Sequence, residues 1–498
     1  MVETRRDVMI GALAGATAVG LGGLEAQAQT LSTRYSATSP QGKAMLVKYA
    51  RAVDIMRNKI PVGDPRHWNF QWYTHWIPGS AVWSEALKTK NETLQKIYGG
   101  QPSYNRDLAQ AMWDSCQPHS RDPADPTRFQ GTYFLPWHRW FVYYFEQIIR
   151  GVLQDPSFTL PYWDYLQGSV AALSIPPEFT NTASSLYKPN RNPWVNQGQR
   201  IDLQNPGALS LDAFKFAYYI SPDGRTGFCP SLNNNPHGMV HDLTGNGTNM
   251  GYVPTAAGDP VFWLHHCNID RLWASWNNRG NPNPTWDARL FPFANAQGKR
   301  VDVLLNNASS IAKLGYQYDT YQKVPGSKLL RAPHFAQGPV LAASASPAAE
   351  GAHHGGVTLS ATAPTQLKLA GAPQANNAAG PNLLAAAPPT KGGGVFLALT
   401  GVSADEPFGG TYNVYVGLPE GATPGGTDSL NYVGTFGSFN LVGHGHGDDG
   451  PNLVFDITDK AAQLTAKGQL GASPNVTFVP VGEIGKPPSV VKVSIVTA

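Results

Sequence analysis

Residues 259–276 read DPVFWLHHCNIDRLWASW, and the reading of this stretch decides the fold. Ile269, Leu272, Trp273 and Trp276 recur at helical spacing directly after the adjacent His265 and His266, which predicts an amphipathic helix carrying imidazoles near its start. Just upstream, NNNPHGMVHDL places His237 and His241 four residues apart. On a helix these two project from one face and can share a metal. Imidazole is the commonest protein metal ligand, and its nitrogen suits a copper ion that cycles between two oxidation states. An HxxxH pair alone is weak, because two such histidines are more often surface or core residues. Together the two segments offer three nitrogens to one ion.

Outward from this centre, the 498-residue chain is too long for one ordinary core, so two domains plus processing segments are expected. Charged residues make up only 14%, while glycine and proline number 52 and 41, a mix that implies much loop and turn. A formal charge of +3 without any Lys/Arg run excludes a nucleic-acid or anionic-membrane footprint. Arg5-Arg6, the apolar run from Val8 to Leu24 and the small-residue site Ala26-Gln27-Ala28 resemble a twin-arginine signal peptide over 1–28. The run is short and glycine-rich for a membrane span. Export in the folded state, to the periplasm or beyond, is expected, with no stable membrane anchor after cleavage. The three cysteines, Cys116, Cys229 and Cys267, allow at most one disulfide.

Residues 29–325 alternate aromatic-rich helical stretches with Pro/Asn/Gly loops and hold eight of the thirteen histidines. Residues 326–394 shift to Ala, Pro, Gly and Ser and read as a linker without a core. From 395 to 498, VFLALTGV, TYNVYVGL, LNYVGTFGSFNLV, NLVFDI, NVTFVPV and VVKVSIVT are β-branched and aromatic runs broken by turns. They predict a small all-β sandwich or barrel.

The string DPxFxxHHxNxDRxW after the HxxxH pair resembles the second-copper signature of the tyrosinase, catechol oxidase and haemocyanin family almost residue for residue. In that pattern the second histidine of the pair ligates, which implies His266 beside His237 and His241, with His265 a neighbour. FLPWHRWFVYYFEQII resembles the family's other signature and implies His138 at the first copper. WDSCQPHS nominates His119 as the middle ligand, although the loop to His138 is longer than the common spacing. His75 in NFQWYTHWIPG resembles the first ligand, with His67 as competitor. Cys116 stands near His119, where many relatives form a cysteine–histidine thioether; the alternative is a small buried thiol. LPYWDY (160–165) and LGYQY (314–318) resemble further family motifs. Asp270, four after His266, is expected either to accept a ligand ring N–H or to pair with an arginine.

The resemblance implies a mainly α catalytic domain whose four-helix core holds two copper ions, with dioxygen as co-substrate and a small phenol as substrate. A copper-delivery protein is a candidate partner. Where tyrosinases carry a water-ordering glutamate and asparagine, this chain has Asn233 and Gly238, which predicts oxidation of o-diphenols or aminophenols to quinones with little monophenol hydroxylation. Val253 stands where plant enzymes often carry a phenylalanine gate, which implies a more open site unless the final domain covers it. That domain, through LTGVSADEPFGGTYNVYV and GTFGSFNLVGHGHG, resembles the plant polyphenol oxidase tail that shields the coppers. His353, His354, His444 and His446 are read as loop residues, with copper loading as the alternative. The competing functions are a true tyrosinase and a haemocyanin-like oxygen carrier.

Overall fold

The computed structural model describes residues 31–75, 83–116, 133–221, 226–324, 341–344, 356–371, 394–439, 441–442, 453–471 and 473–497. The signal segment, His119 and its long loop, His353, His354, His444 and His446 lie outside the described residues.

Strand β1 (Ser32–Arg34) leads into α1 (Pro40–Asn58), whose start is fixed by Ser39 Oγ accepting the Gly42 N–H and by proline at the first helical position. Leu46, Tyr49, Val53 and Met56 line one buried face of α1. Next come α2 (Trp68–Tyr73), α3 (Trp83–Tyr98), α4 (Tyr104–Asp114) and α5 (Phe134–Leu153). Three short helices, α6 (Val170–Leu173), α7 (Pro193–Asn196) and α8 (Phe228–Leu232), precede α9 (Met239–Thr244) and α10 (Val261–Asn277).

Helices α5 and α10 pack together at the centre, and Trp263 lies flat on Phe145 with ring centroids 3.5 Å apart. Every residue from Val261 to Trp276 is buried, so the helix predicted to be amphipathic is enclosed on all sides. A large apolar side chain buried in this way contributes about 1.5–3 kcal/mol, and the polar residues among them must find partners inside the protein.

The sequence motifs supply those partners. In LPYWDY, the Leu160 N–H donates to Glu146 (2.8 Å), the Trp163 indole N–H donates to the Ala172 carbonyl (2.8 Å), and Asp164 pairs with Arg271 (2.6 Å). The LGYQY tyrosines lie on β4 (Tyr316–Tyr318), which pairs in parallel with β1 and brings Arg34 beside Tyr318. Strands β2 (Leu290–Ala294) and β3 (Arg300–Leu304) form a separate hairpin.

Two antiparallel sheets build the C-terminal region around one apolar core, as the alternating runs predict. One contains β7 (Thr365–Lys368), β10 (Thr411–Val416), β11 (Tyr432–Phe436) and β13 (Asn475–Val481). The other contains β5 (Leu341–Ser344), β8 (Ala370–Gly371), β9 (Val395–Thr400), β12 (Leu453–Asp456) and β15 (Lys492–Thr497). The pair β6 (Val357–Thr358) and β14 (Ser489–Val490) stands outside both sheets.

The expected linker is corrected here. Strands β5, β6, β7 and β8 all fall within 326–394; β7 and β8 are edge strands and β5 joins β8 to β15. Composition misled because ladder hydrogen bonds come from the backbone, so short Ala- or Thr-rich runs can pair beside strands that supply the core. Among the described residues no helix is long and apolar enough to cross a membrane.

Candidate metal centre

His75 follows the Thr74 that ends α2, and its backbone N–H donates to the Trp72 carbonyl (3.1 Å). His138 stands in the first turns of α5, where its Nδ1–H donates to the Phe134 carbonyl four residues earlier (2.8 Å). That bond leaves the Nε2 lone pair of His138 facing inward, 3.1 Å from Nε2 of His75. Both rings are buried. His67, the competitor, instead caps the start of α2, its Nδ1 accepting the Asn69 N–H (3.0 Å).

The second group is built in the same way. His237 donates through Nδ1 to the Asn233 carbonyl (3.1 Å) and His241 through Nδ1 to the Met250 carbonyl (2.8 Å). His266, from α10, stacks on His138 with ring centroids 4.4 Å apart, and this contact joins the two groups. His265 belongs to the cluster as well: one nitrogen from each of His237, His241, His265 and His266 lies within 4.8 Å of the others. Its Nδ1 meets the Tyr165 hydroxyl at 3.0 Å. The family resemblance implied only a neighbour's place for His265, and the adjacency of the two histidines is the signal for more.

These nitrogens suit a metal. Nε2 of His241, Nε2 of His265 and both ring nitrogens of His266 are buried and lack hydrogen-bond partners, an arrangement that costs free energy unless something accepts their lone pairs. Burial pushes His75 down to about 4, opposed by the backbone at Val253, and it holds His241, His265 and His266 well below the usual range, with neighbouring imidazoles adding to the effect. Neutral imidazole is the form that binds copper.

Asp270 is a correction to one of its two expected roles. Its carboxylate pairs with Arg139 and Arg34 and accepts the hydroxyls of Tyr316 (2.7 Å) and Tyr318 (2.5 Å), and no imidazole donates to it. An N–H of Arg34 also reaches Glu146 (2.9 Å). Two buried cations attract the carboxylate more strongly than one neutral ring N–H could. Asp270 therefore braces α10 against α5 and the two outer strands.

Asn233 is half-buried and holds His237 through its backbone carbonyl; Gly238 is buried beside His237; Val253 is half-buried at the start of the turn Val253–Gly258. All three cysteines are buried and none forms a disulfide. The proposed thioether partner of Cys116 lies outside the described residues.

Over the second group sits Phe439, which sequence reasoning did not single out within GTFGSFNLV. Its ring stacks on His241 at 3.8 Å and meets His237 edge-on at 5.6 Å. Asp242 holds it there, accepting the Phe439 N–H (3.1 Å) and the Ser438 hydroxyl (2.9 Å). Burial pushes the Asp242 carboxyl up to about 7 against these hydrogen bonds. Phe439, from the final domain, thus lies over the second imidazole group.

A buried cluster of imidazoles at the centre of a helical domain has the donor set of a histidine-held metal centre. Comparison with known proteins narrows it. The profile described as "Common central domain of tyrosinase" matches residues 103–212 and 212–279, and a domain of unknown function (DUF7868) matches 348–498. A tyrosinase of Hahella sp. (strain CCB-MM4) is 33% identical over 305 residues, covering 54% of this chain and 59% of that protein. Catechol oxidase B, chloroplastic, of Solanum tuberosum is 31% identical over 222 residues, 37% of each chain. The chain thus spans less than two thirds of the length of these relatives. The structure of latent apple tyrosinase superposes with a TM-score of 0.61 at 22% identity, over 94% of this chain and 97% of that one, which shows a shared fold. Residues 103–279 are thus similar to the central domain of tyrosinases, and a domain of that type implies a dicopper site.

Proposed function

We propose that this chain is a copper-dependent oxidase of o-diphenols, covered by its C-terminal domain until that domain moves or is removed. The observation that carries the reading is the convergence of buried imidazoles, of which His241, His265 and His266 present ring nitrogens with no hydrogen-bond partner among the described residues. In this assignment His75, His119 and His138 hold one copper and His237, His241 and His266 the other, within a four-helix core formed by α2, α5, α9 and α10.

A bound copper pair supplies dioxygen reduction coupled to phenol oxidation. Two catechols give up four electrons and four protons, and one dioxygen becomes two waters. The chain orients and encloses. Backbone carbonyls at Phe134, Asn233 and Met250 fix three rings with Nε2 inward. Phe262, at 4.1 Å from His266 and 5.0 Å from His75, keeps the floor apolar. Asn233 and Gly238 provide no carboxylate to take a proton from a monophenol, which supports diphenol oxidation. The similarity to a tyrosinase favours the second reading, monophenol hydroxylation as well. The Arg5-Arg6 segment supports export by the twin-arginine route, with copper loaded beforehand.

The test is to load the signal-free protein with copper and follow quinone formation from a monophenol and its catechol, before and after limited proteolysis ahead of the C-terminal domain. Fast catechol turnover with little monophenol activity is expected. A substantial monophenol rate overturns the diphenol assignment, and no turnover after cleavage at two coppers per chain overturns the oxidase reading.

A further inference from the structure

We propose that the cavity between the end of α1, the start of α2 and the turn Val253–Gly258 is an accessory site for an aromatic carboxylate. It is about 500 Å³ and touches none of the clustered histidines, a size suited to a small organic ligand. The inference is independent of the oxidase reading.

Two cations face it, and neither forms a direct ion pair among the described residues. Arg57, in the last turn of α1, donates to the Ser185 carbonyl through one terminal nitrogen (2.6 Å), while the other is buried with no hydrogen-bond partner. Lys188 lines the same cavity and forms no ion pair among the described residues. Burial and the neighbouring Arg57 both push its ammonium down. Of the carboxylates nearby, Asp259 grips Arg191 through two hydrogen bonds of 2.8 Å, Asp64 holds Arg66 at 2.7 Å, and the exposed Asp54 accepts the Asn58 amide (2.8 Å). Two half-enclosed cations without a direct ion pair repel each other and cost desolvation, and one carboxylate relieves both. The His67 ring lines the cavity as well, its Nδ1 accepting the Asn69 N–H and its Nε2–H directed at the Arg57 backbone carbonyl.

The walls specify the rest of the ligand. Arg57 lies 4.8 Å over the buried Trp68 ring. The half-buried Trp72 indole is fixed in its plane by its N–H donating to Asn69 Oδ1 (3.3 Å). Trp72 thus offers a flat, pre-ordered face beside the cations, and an aromatic ring stacks on such a face where a hydrated inorganic anion gains nothing from it.

Isothermal titration of the copper-loaded full chain with benzoate, cyclohexanecarboxylate and phosphate tests the inference. Benzoate is expected to saturate one site, leaving the copper absorption unchanged, and to bind more tightly than the other two anions. Lys188→Gln should weaken it at least about tenfold, Lys188→Arg should retain it, and Trp72→Leu should abolish the preference over cyclohexanecarboxylate. Thermal melting checks that each variant is folded. No saturable binding, benzoate binding indifferent to Lys188→Gln, or phosphate binding as tightly as benzoate each overturns the proposal.

Discussion

The ring of Phe439 lies flat on the ring of His241, with centroids 3.8 Å apart and planes 4° from parallel. A phenol approaching the second imidazole group needs that face. Phe439→Ala in the intact chain is therefore expected to raise catechol oxidation several-fold, while the same substitution leaves the rate of proteolytically trimmed protein unchanged. Initial rates on both forms decide the matter. An intact variant no faster than the parent would show that the stack is not the barrier. The lost packing is expected to cost about 3–5 kcal/mol of stability, so rates should be taken well below the melting temperature.

Asp270 makes a separate prediction. Replacing it by Asn leaves Arg34 and Arg139 buried, each less than 2% exposed, with one counter-charge fewer. Breaking a buried pair of this kind costs about 3–5 kcal/mol. Denaturant unfolding of Asp270→Asn should show a loss of that order, whereas copper content per folded chain stays at the parent value. A copper deficit in fully folded variant would return the residue to the role of ring acceptor.

That contrast marks what could be read from the sequence. His237 and His241 were legible because four residues on a helix fix two side chains on one face, and α10 because its apolar spacing continues through Trp276. The partners of Asp270 were not: Arg34 lies 236 residues away and reaches it only because β1 pairs with β4. Phe439 finds Asp242 across 197 residues, and its string reads like any β-turn sequence. The strands inside 326–394 were hidden for another reason, since their ladders depend on neighbours that supply the apolar core. Local spacing carried the His237–His241 pair and family resemblance the other imidazoles; long-range pairing carried the brace and the cover.

The domain junction contains a reciprocal amide pair. Asn205 Nδ2 donates to Asn413 Oδ1 (2.8 Å) and Asn413 Nδ2 donates to Asn205 Oδ1 (3.1 Å), both side chains buried. Asn413→Ala strands Asn205 Oδ1 in the docked state at a cost of about 1–3 kcal/mol, while Asn205 Nδ2 keeps Thr411 Oγ1 (3.0 Å) and the Thr435 hydroxyl keeps Tyr432 (2.7 Å). Partial activation of the intact variant at a urea concentration that leaves the parent latent is the expected result. If its activation curve overlays the parent's, the pair contributes nothing to docking.

Acid should destabilise the copper-free protein through its histidines. His75 is held at about 4 in the folded chain against 6.5 for a free imidazole, and His241, His265 and His266 are also depressed by burial. The unfolded chain then binds protons that the folded chain refuses. The stability these groups confer is complete above about pH 6.5 and falls as the pH drops; the His75 share, on the order of 3 kcal/mol, is gone near pH 4. Urea midpoints of copper-free protein between about pH 7.5 and about pH 4.5 should decline steadily. Replacing His75 by Gln should flatten the decline, since a group that cannot titrate has no stability to lose to protons. A parent curve level across this window would mean that the buried imidazoles already carry protons in the folded chain, and with them no lone pairs for a metal.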